Sequence, residues 1–242
     1  AYLARAHQLI AHDRYDLAEK ELGLALADSP ENAFARGMLA QCLSNRKQHA
    51  QAIEEARRAV RHEPGLAYAY HALGSVLEAA ARLSDEEAAF REALRLEPEE
   101  AMHYGALGVV LLRQAQWREA LSFANEGLAC DAEDPQCVNV RAAALRQMGR
   151  RAEADETIRE SLGHSPQNPH SHANLGWSKL HQNRPREALE HFGEALRLDP
   201  GMESARAGLV EALKARHFTY RCLLRYFLWL SRLSGRHKFL LI

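Results

Sequence analysis

The chain has 242 residues, with 31 Lys and Arg against 32 Asp and Glu and a formal net charge of −1. The balance is uneven: residues 201–242 hold eight Lys and Arg against two Asp and Glu, so the remainder is acidic. An acidic body with a basic end excludes a general nucleic-acid binder, which needs a continuous basic face.

Four cysteines, Cys42, Cys130, Cys137 and Cys222, form no CxxC pair. They read as small buried hydrophobes in a reducing compartment. No secretory signal is visible.

Proline recurs at 30, 64, 98, 166 and 200, a spacing of 34 broken only by Ala132. Before each of these positions an apolar stripe ends: Leu26, Val60, Leu94, Leu128, Leu162 and Leu196. Counting back finds a second stripe. The third repeat reads Tyr70, Leu73, Gly74, Leu77, then Phe90 and Ala93. The fourth reads Tyr104, Leu107, Gly108, Leu111, then Ala120 and Ala124; the sixth reads Leu175, Gly176, then Ala188, Phe192 and Ala195. Steps of three and four put each set on one helical face. Each repeat therefore holds two helices, A and B, joined by polar turns such as His12-Asp13-Arg14.

The small residues have a mechanical reading. Gly74, Gly108 and Gly176 fall where helix A approaches helix B, and Ala18, Ala52, Ala120, Ala154 and Ala188 answer from helix B. Proline is expected to end helix B because it cannot donate the next hydrogen bond. Acidic pairs such as Glu86-Glu87 read as solvated faces or capping charges.

This pattern of Leu-Gly, aromatic, Ala and Pro resembles the tetratricopeptide repeat. The resemblance covers residues 1–200 as six units: 1–32, 33–66, 67–100, 101–134, 135–168 and 169–202. Residues 203–242 read as a degenerate seventh unit or C-terminal helices. The family implies an all-α fold, a right-handed superhelical solenoid of paired antiparallel helices. Departures from the pattern are Arg5, Glu86, Arg141 and Ser161. The pentatricopeptide alternative, an RNA reader, has another period and lacks this proline.

The resemblance implies a concave surface lined by helix A residues. On this chain they are Phe34, Gln41, Tyr68, His71, Ser75, Met102, Val109, Arg113, Asn139, Arg146, His170, Asn174, Trp177 and His181. The mixture suits a peptide or partner domain held through side-chain pockets, with Tyr68 and Trp177 as anchors. The clamp that some members use for a C-terminal carboxylate needs Asn where this chain has Met38, Ala72, Ala106 and Val140; only Asn174 fits, and its neighbours do not complete the clamp. Recognition of an acidic chaperone C-terminus is not expected.

No P-loop, G-x-S-x-G elbow or HExxH motif occurs, so no catalytic role and no cofactor are expected. His164, His170 and His172 cluster near a turn, but the HxH spacing of His170 and His172 supplies only two imidazoles and no third ligand is evident, so no metal is expected.

The tail differs from the repeats. Arg221, Arg225 and Arg232 fall within about 40° on a helical wheel, amid Leu, Phe, Tyr and Trp229. Two readings remain open: a cap on the last repeat, or a helix at a membrane surface. The chain stops in an apolar run, Phe239 to Ile242. The expectation is that a hydrophobic segment follows, as in bacterial tetratricopeptide proteins that lead into a membrane region. The array would then be cytoplasmic, at the cytoplasmic face. The functional expectation is a protein–protein interaction scaffold. The alternative is a structural protein that self-assembles into homo-oligomers through its C-terminal apolar helices.

Overall fold

The computed structural model describes residues 2–216. Among them lie thirteen α-helices and no strand. In chain order these are α1 (Tyr2–Ala11), α2 (Tyr15–Asp28), α3 (Ala33–Asn45), α4 (His49–His62), α5 (Ala67–Ala79), α6 (Leu83–Leu96) and α7 (Ala101–Arg113). They continue as α8 (Trp117–Cys130), α9 (Pro135–Gln147), α10 (Arg151–His164), α11 (Pro169–His181), α12 (Pro185–Leu198) and α13 (Glu203–Arg216). The fold is all-α, built from paired antiparallel helices. Arg221, Arg225, Trp229 and Arg232 lie outside the described residues. No described helix is long and apolar enough to cross a membrane.

The chain forms two compact units, Ala1–Ala144 and Leu145–Ile242. In the first, Leu107, Val110, Leu111, Ala120, Ala124 and Val140 form a core under Phe90. In the second, Phe192 packs with Ala173, Ala188, Ala195, Met202 and Ala205.

The turn from helix A to helix B always reverses the chain in the same way. Residues 13, 47, 81, 115, 149 and 183 are left-handed, and only Gly149 is a glycine. Asp13, Lys47, Ala81, Ala115 and Asn183 hold φ between 56° and 65°. The next N–H reaches back five residues to close the helix: Arg82 N to Leu77 O and Gln116 N to Leu111 O, both at 2.9 Å. This is the hydrogen bond of a Schellman ending, which needs a left-handed residue.

The ending of helix B corrects the reading of proline. Each B helix stops two residues before position 30, 64, 98, 132, 166 or 200. The residue between them is extended, with φ from −140° to −121° and ψ from 76° to 105°. Proline acts by forcing its predecessor out of the helical region. Asp131 adopts the same conformation before Ala132, so this unit turns without proline. The proline carbonyl is then used by helix A of the next pair, six residues on. It accepts from Arg36 at Pro30, from Tyr104 at Pro98, from His172 at Pro166 and from Arg206 at Pro200. Helix starts are capped where the sequence offers Asn or Asp: Asn32 accepts from Ala35 N, Asp134 from Cys137 N and Asn168 from Ser171 N.

The glycines mark close approaches, with one difference from expectation. A methyl group at Gly74 would lie 2.6 Å from the Phe90 ring, and one at Gly176 would lie 2.7 Å from Phe192. Both are helix A against helix B. Gly108 instead faces Val140 of α9, which is the next helix A. At the register of Phe90 and Phe192, α8 carries only Ala124, and the space at Gly108 is filled by Val140 instead.

Junctions between successive pairs are polar in alternate places. Arg46 pairs with Glu19, Gln114 donates to Glu87 at 2.7 Å, and Gln182 donates to Asp155. Each pairing spans 27 residues. At the intervening register, positions 53 and 80, stand Ile and Ala.

Glu86 and Glu87 depart from the solvated reading. Glu86 occupies the buried helix B position that Ala18, Ala52 and Ala120 hold elsewhere, and it is 0% exposed. Arg113 of α7 meets its Oε1 and also lies 3.3 Å from Glu78. Burial pushes the Glu86 carboxyl above its ordinary range, and Arg113 pulls it back. Glu87 bonds Gln114 and Arg91, which hold its carboxyl below the ordinary range. Cys130 also departs from expectation: Cys42 and Cys137 are buried, whereas Cys130 is exposed because it faces outward at the end of α8.

Candidate interaction surface

The first turns of α3, α5 and α7 carry Phe34, Tyr68 and Met102 at one register position. Phe34 is 40% exposed and Met102 is 37% exposed. The Phe34 and Tyr68 rings lie 4.5 Å apart, tilted by 39°. Gly37 makes room for this, since a methyl group there would sit 2.8 Å from the Tyr68 ring. Burial pushes the Tyr68 hydroxyl up to about 12. The result is an apolar strip on three helices, open on one side.

The other predicted residues of the first unit behave differently. Gln41 is exposed. His71 is half-buried, edge-on to Phe90 at 5.3 Å and close to His103. Arg113 is committed to Glu86 and Glu78. Asn139, Ser75 and Val109 are half-buried.

In the second unit Arg146, Asn174, Trp177 and His181 come together around a cavity of about 530 Å³. His170 is exposed and is not among the lining residues. Trp177 forms one wall. Its ring meets Phe192 edge-on at 5.4 Å and lies 6.2 Å from His181, so one face is packed and the residue is only half-buried.

The opposite wall was missed by reading helix A alone. It comes from the start of α10, where Arg151 and Asp155 project into the same cavity. Asp155 accepts from Ser178 Oγ and from Gln182 Nε2. The signal was present in the sequence: Asp155 and Gln182 repeat the spacing of Glu87 and Gln114. Burial lowers the affinity of Arg146 for its proton, and Asp155 partly restores it.

The three clustered histidines are separated by the fold. His172 turns Nε2 to the Pro166 carbonyl and Nδ1 toward His191, whereas His164 bonds the Glu160 carbonyl. Among the described residues no three His, Cys, Asp or Glu side chains are placed to share a metal ion.

Two family models match the chain, both described as tetratricopeptide repeat, at residues 9–77 and 169–202. No curated protein matches it in sequence. Among solved structures it is similar to the Cut9–Hcn1 hetero-tetramer of the APC/C. There the TM-score is 0.69 at 18% identity, over 88% of this chain and 42% of that one. The chain thus spans less than half of that relative's length. It is also similar to pilF of Pseudomonas aeruginosa, with TM-score 0.65, 21% identity, and 87% and 96% coverage. YrrB, a tetratricopeptide protein with an unusual peptide-binding site, gives TM-score 0.51 at 21% identity, over 77% and 96%. At such identities the likeness establishes the fold.

Proposed function

We propose that this chain, which belongs to the tetratricopeptide repeat family, holds a peptide or a partner domain against its helix A faces. The coarser statement is plain: the fold is that of protein–protein interaction scaffolds, and family members are generally not catalysts. The finer reading rests on one observation. Two large apolar residues at one helix A register position, Phe34 and Met102, are left open to solvent, although the B-helix register positions 18, 52, 120, 154 and 188 are fully buried. Exposed aromatic side chains on a rigid scaffold supply contact area at low ordering cost, and methionine adapts its shape to a partner. Residues carrying the surface are Phe34, Tyr68 and Met102 in the first unit and Asn174, Trp177 and His181 in the second.

The test is capture of partners from a source-cell lysate by the intact chain and by Tyr68→Ala with Trp177→Ala. A partner lost in the double variant, with helicity and melting retained, supports the reading. A partner retained by the variant moves the site to another face and sinks it.

A further inference from the structure

The cavity of the second unit is unevenly charged. Its charged lining side chains are Arg146, Arg151 and Asp155. Asp155 is already engaged by α11, accepting from Ser178 on Oδ1 and from Gln182 on Oδ2. Arg146 is half-buried, yet among the described residues it makes no hydrogen bond or ion pair and feels only the field of Asp155. Arg151 is exposed at the cavity's rim and is likewise without a carboxylate partner among the described residues, so the desolvation cost falls on Arg146. Four other arginines of this unit are committed, Arg150 to Glu153, Arg159 to Glu156, Arg184 to Glu187 and Arg197 to Glu194, whereas the exposed Arg186 keeps its water. A guanidinium that loses water without gaining an acceptor is costly, and the cost is removed by an arriving anion. Trp177, half-buried, lines the same cavity beside the two arginines.

We infer that this cavity receives an acidic side chain of a bound peptide, seated on Arg146 and Arg151, with the adjoining large apolar residue of that peptide against Trp177. The inference rests on the proposed peptide-binding role of the helix A faces and names the chemistry of one subsite. The acidic character of residues 1–200 disfavours a polyanion such as RNA, whereas a single carboxylate between two arginines is matched in charge. The acid belongs within a peptide chain. Asn174, which lines the cavity, falls at the Asn position of the clamp that holds a terminal carboxylate in some family members, but its neighbours do not complete that clamp.

The probe is a phage-displayed library of random dodecapeptides, joined to the coat protein at their C-termini so that no terminal carboxylate is present. It is selected on the intact chain. Enriched peptides are expected to carry Asp or Glu next to Phe, Trp, Leu or Met. Their synthetic amidated forms are expected to bind about tenfold or more weakly to Arg146→Gln, less weakly to Arg146→Lys, and more weakly as salt rises. Circular dichroism and melting of Arg146→Gln should match the parent.

Enriched peptides without an acidic residue, or affinities unchanged in both Arg146→Gln and Arg151→Gln, overturn the acidic subsite. If those same peptides fail to bind Trp177→Ala or Tyr68→Ala, the peptide-binding reading survives alone. Binding indifferent to all four substitutions, or no enrichment, overturns both. An oligouridylate that displaces the peptides, or affinity that requires a free C-terminus, also overturns the inference.

Discussion

His71 Nδ1 lies 3.1 Å from His103 Nδ1, across the contact between α5 and α7. One nitrogen must donate and the other accept, so the pair is stable only while at least one ring is neutral. His103 is fully buried, and its Nε2 has no hydrogen-bond partner among the described residues. That nitrogen is 3.6 Å from Glu97, outside bonding distance.

The pair predicts acid lability. Burial, then the His103 charge, lowers the His71 pKa from 6.5 to about 4. Burial lowers that of His103, against Glu97 and Glu100, which raise it. Both folded values lie below the unfolded one. The neutral rings therefore support the fold fully above pH 6.5, and this support is lost as the pH falls toward 4. The loss is on the order of 2–3 kcal/mol for His71. His191, lowered by burial and then by His172 and Lys179, repeats the effect in the second unit against Glu190 and Glu187. Urea denaturation at pH 7.5 and 4.5 should show the drop, and His71→Leu should flatten it. A parallel pH profile in that variant would refute the assignment.

Arg113→Ala should destabilise by about 2–3 kcal/mol at pH 7, because it leaves the Glu86 carboxylate buried and unpaired. Glu86 escapes part of the cost by taking up a proton, so the deficit should shrink as the pH is lowered toward 5. Glu86→Ala with Arg113→Ala should be more stable than Arg113→Ala alone. Equilibrium denaturation of the parent and the two variants checks the ordering. Arg113 should accordingly be judged by stability before any effect on binding is credited to it.

Ala81→Gly and Ala115→Gly should each raise stability by about 0.5–1 kcal/mol, since alanine is strained at positive φ and glycine is not. Both are exposed, so no packing is lost. Gly149→Ala should do the reverse. Thermal melting of the three variants is sufficient.

Gly74→Ala and Gly176→Ala should cost about 1–3 kcal/mol each, because the Phe90 and Phe192 rings occupy the space. Gly163→Ala and Gly193→Ala meet no atom within 4 Å and lie in helices. They should stabilise by about 0.5–1 kcal/mol. Chemical denaturation of the four separates packing from helix propensity.

The helices were legible because small and aromatic residues recur with the prolines, and burial follows those positions closely. What escaped lay in the turns within repeats and in contacts between repeats. The left-handed turn residue is Asp, Lys, Ala, Ala, Gly or Asn, so residue type gives no common signal, and only the register with Gly149 does. Glu86 looked solvated because its partner stands 27 residues away on another helix. The cavity was half visible: helix A supplied Arg146, Asn174, Trp177 and His181, but Arg151 and Asp155 belong to helix B, which the family resemblance assigns to the other face.

The polar pairings Glu19–Arg46, Glu87–Gln114 and Asp155–Gln182 recur at twice the repeat length. Structurally the chain counts in doublets. Excising one helix pair, residues 33–66, would set Glu19 opposite Ala80 and strand its carboxylate. Excising two, residues 33–100, would set it opposite Gln114, which can donate. Shortened or lengthened versions should therefore tolerate changes in steps of two pairs better than in steps of one. A lineage that grew by copying would be expected to have copied couples.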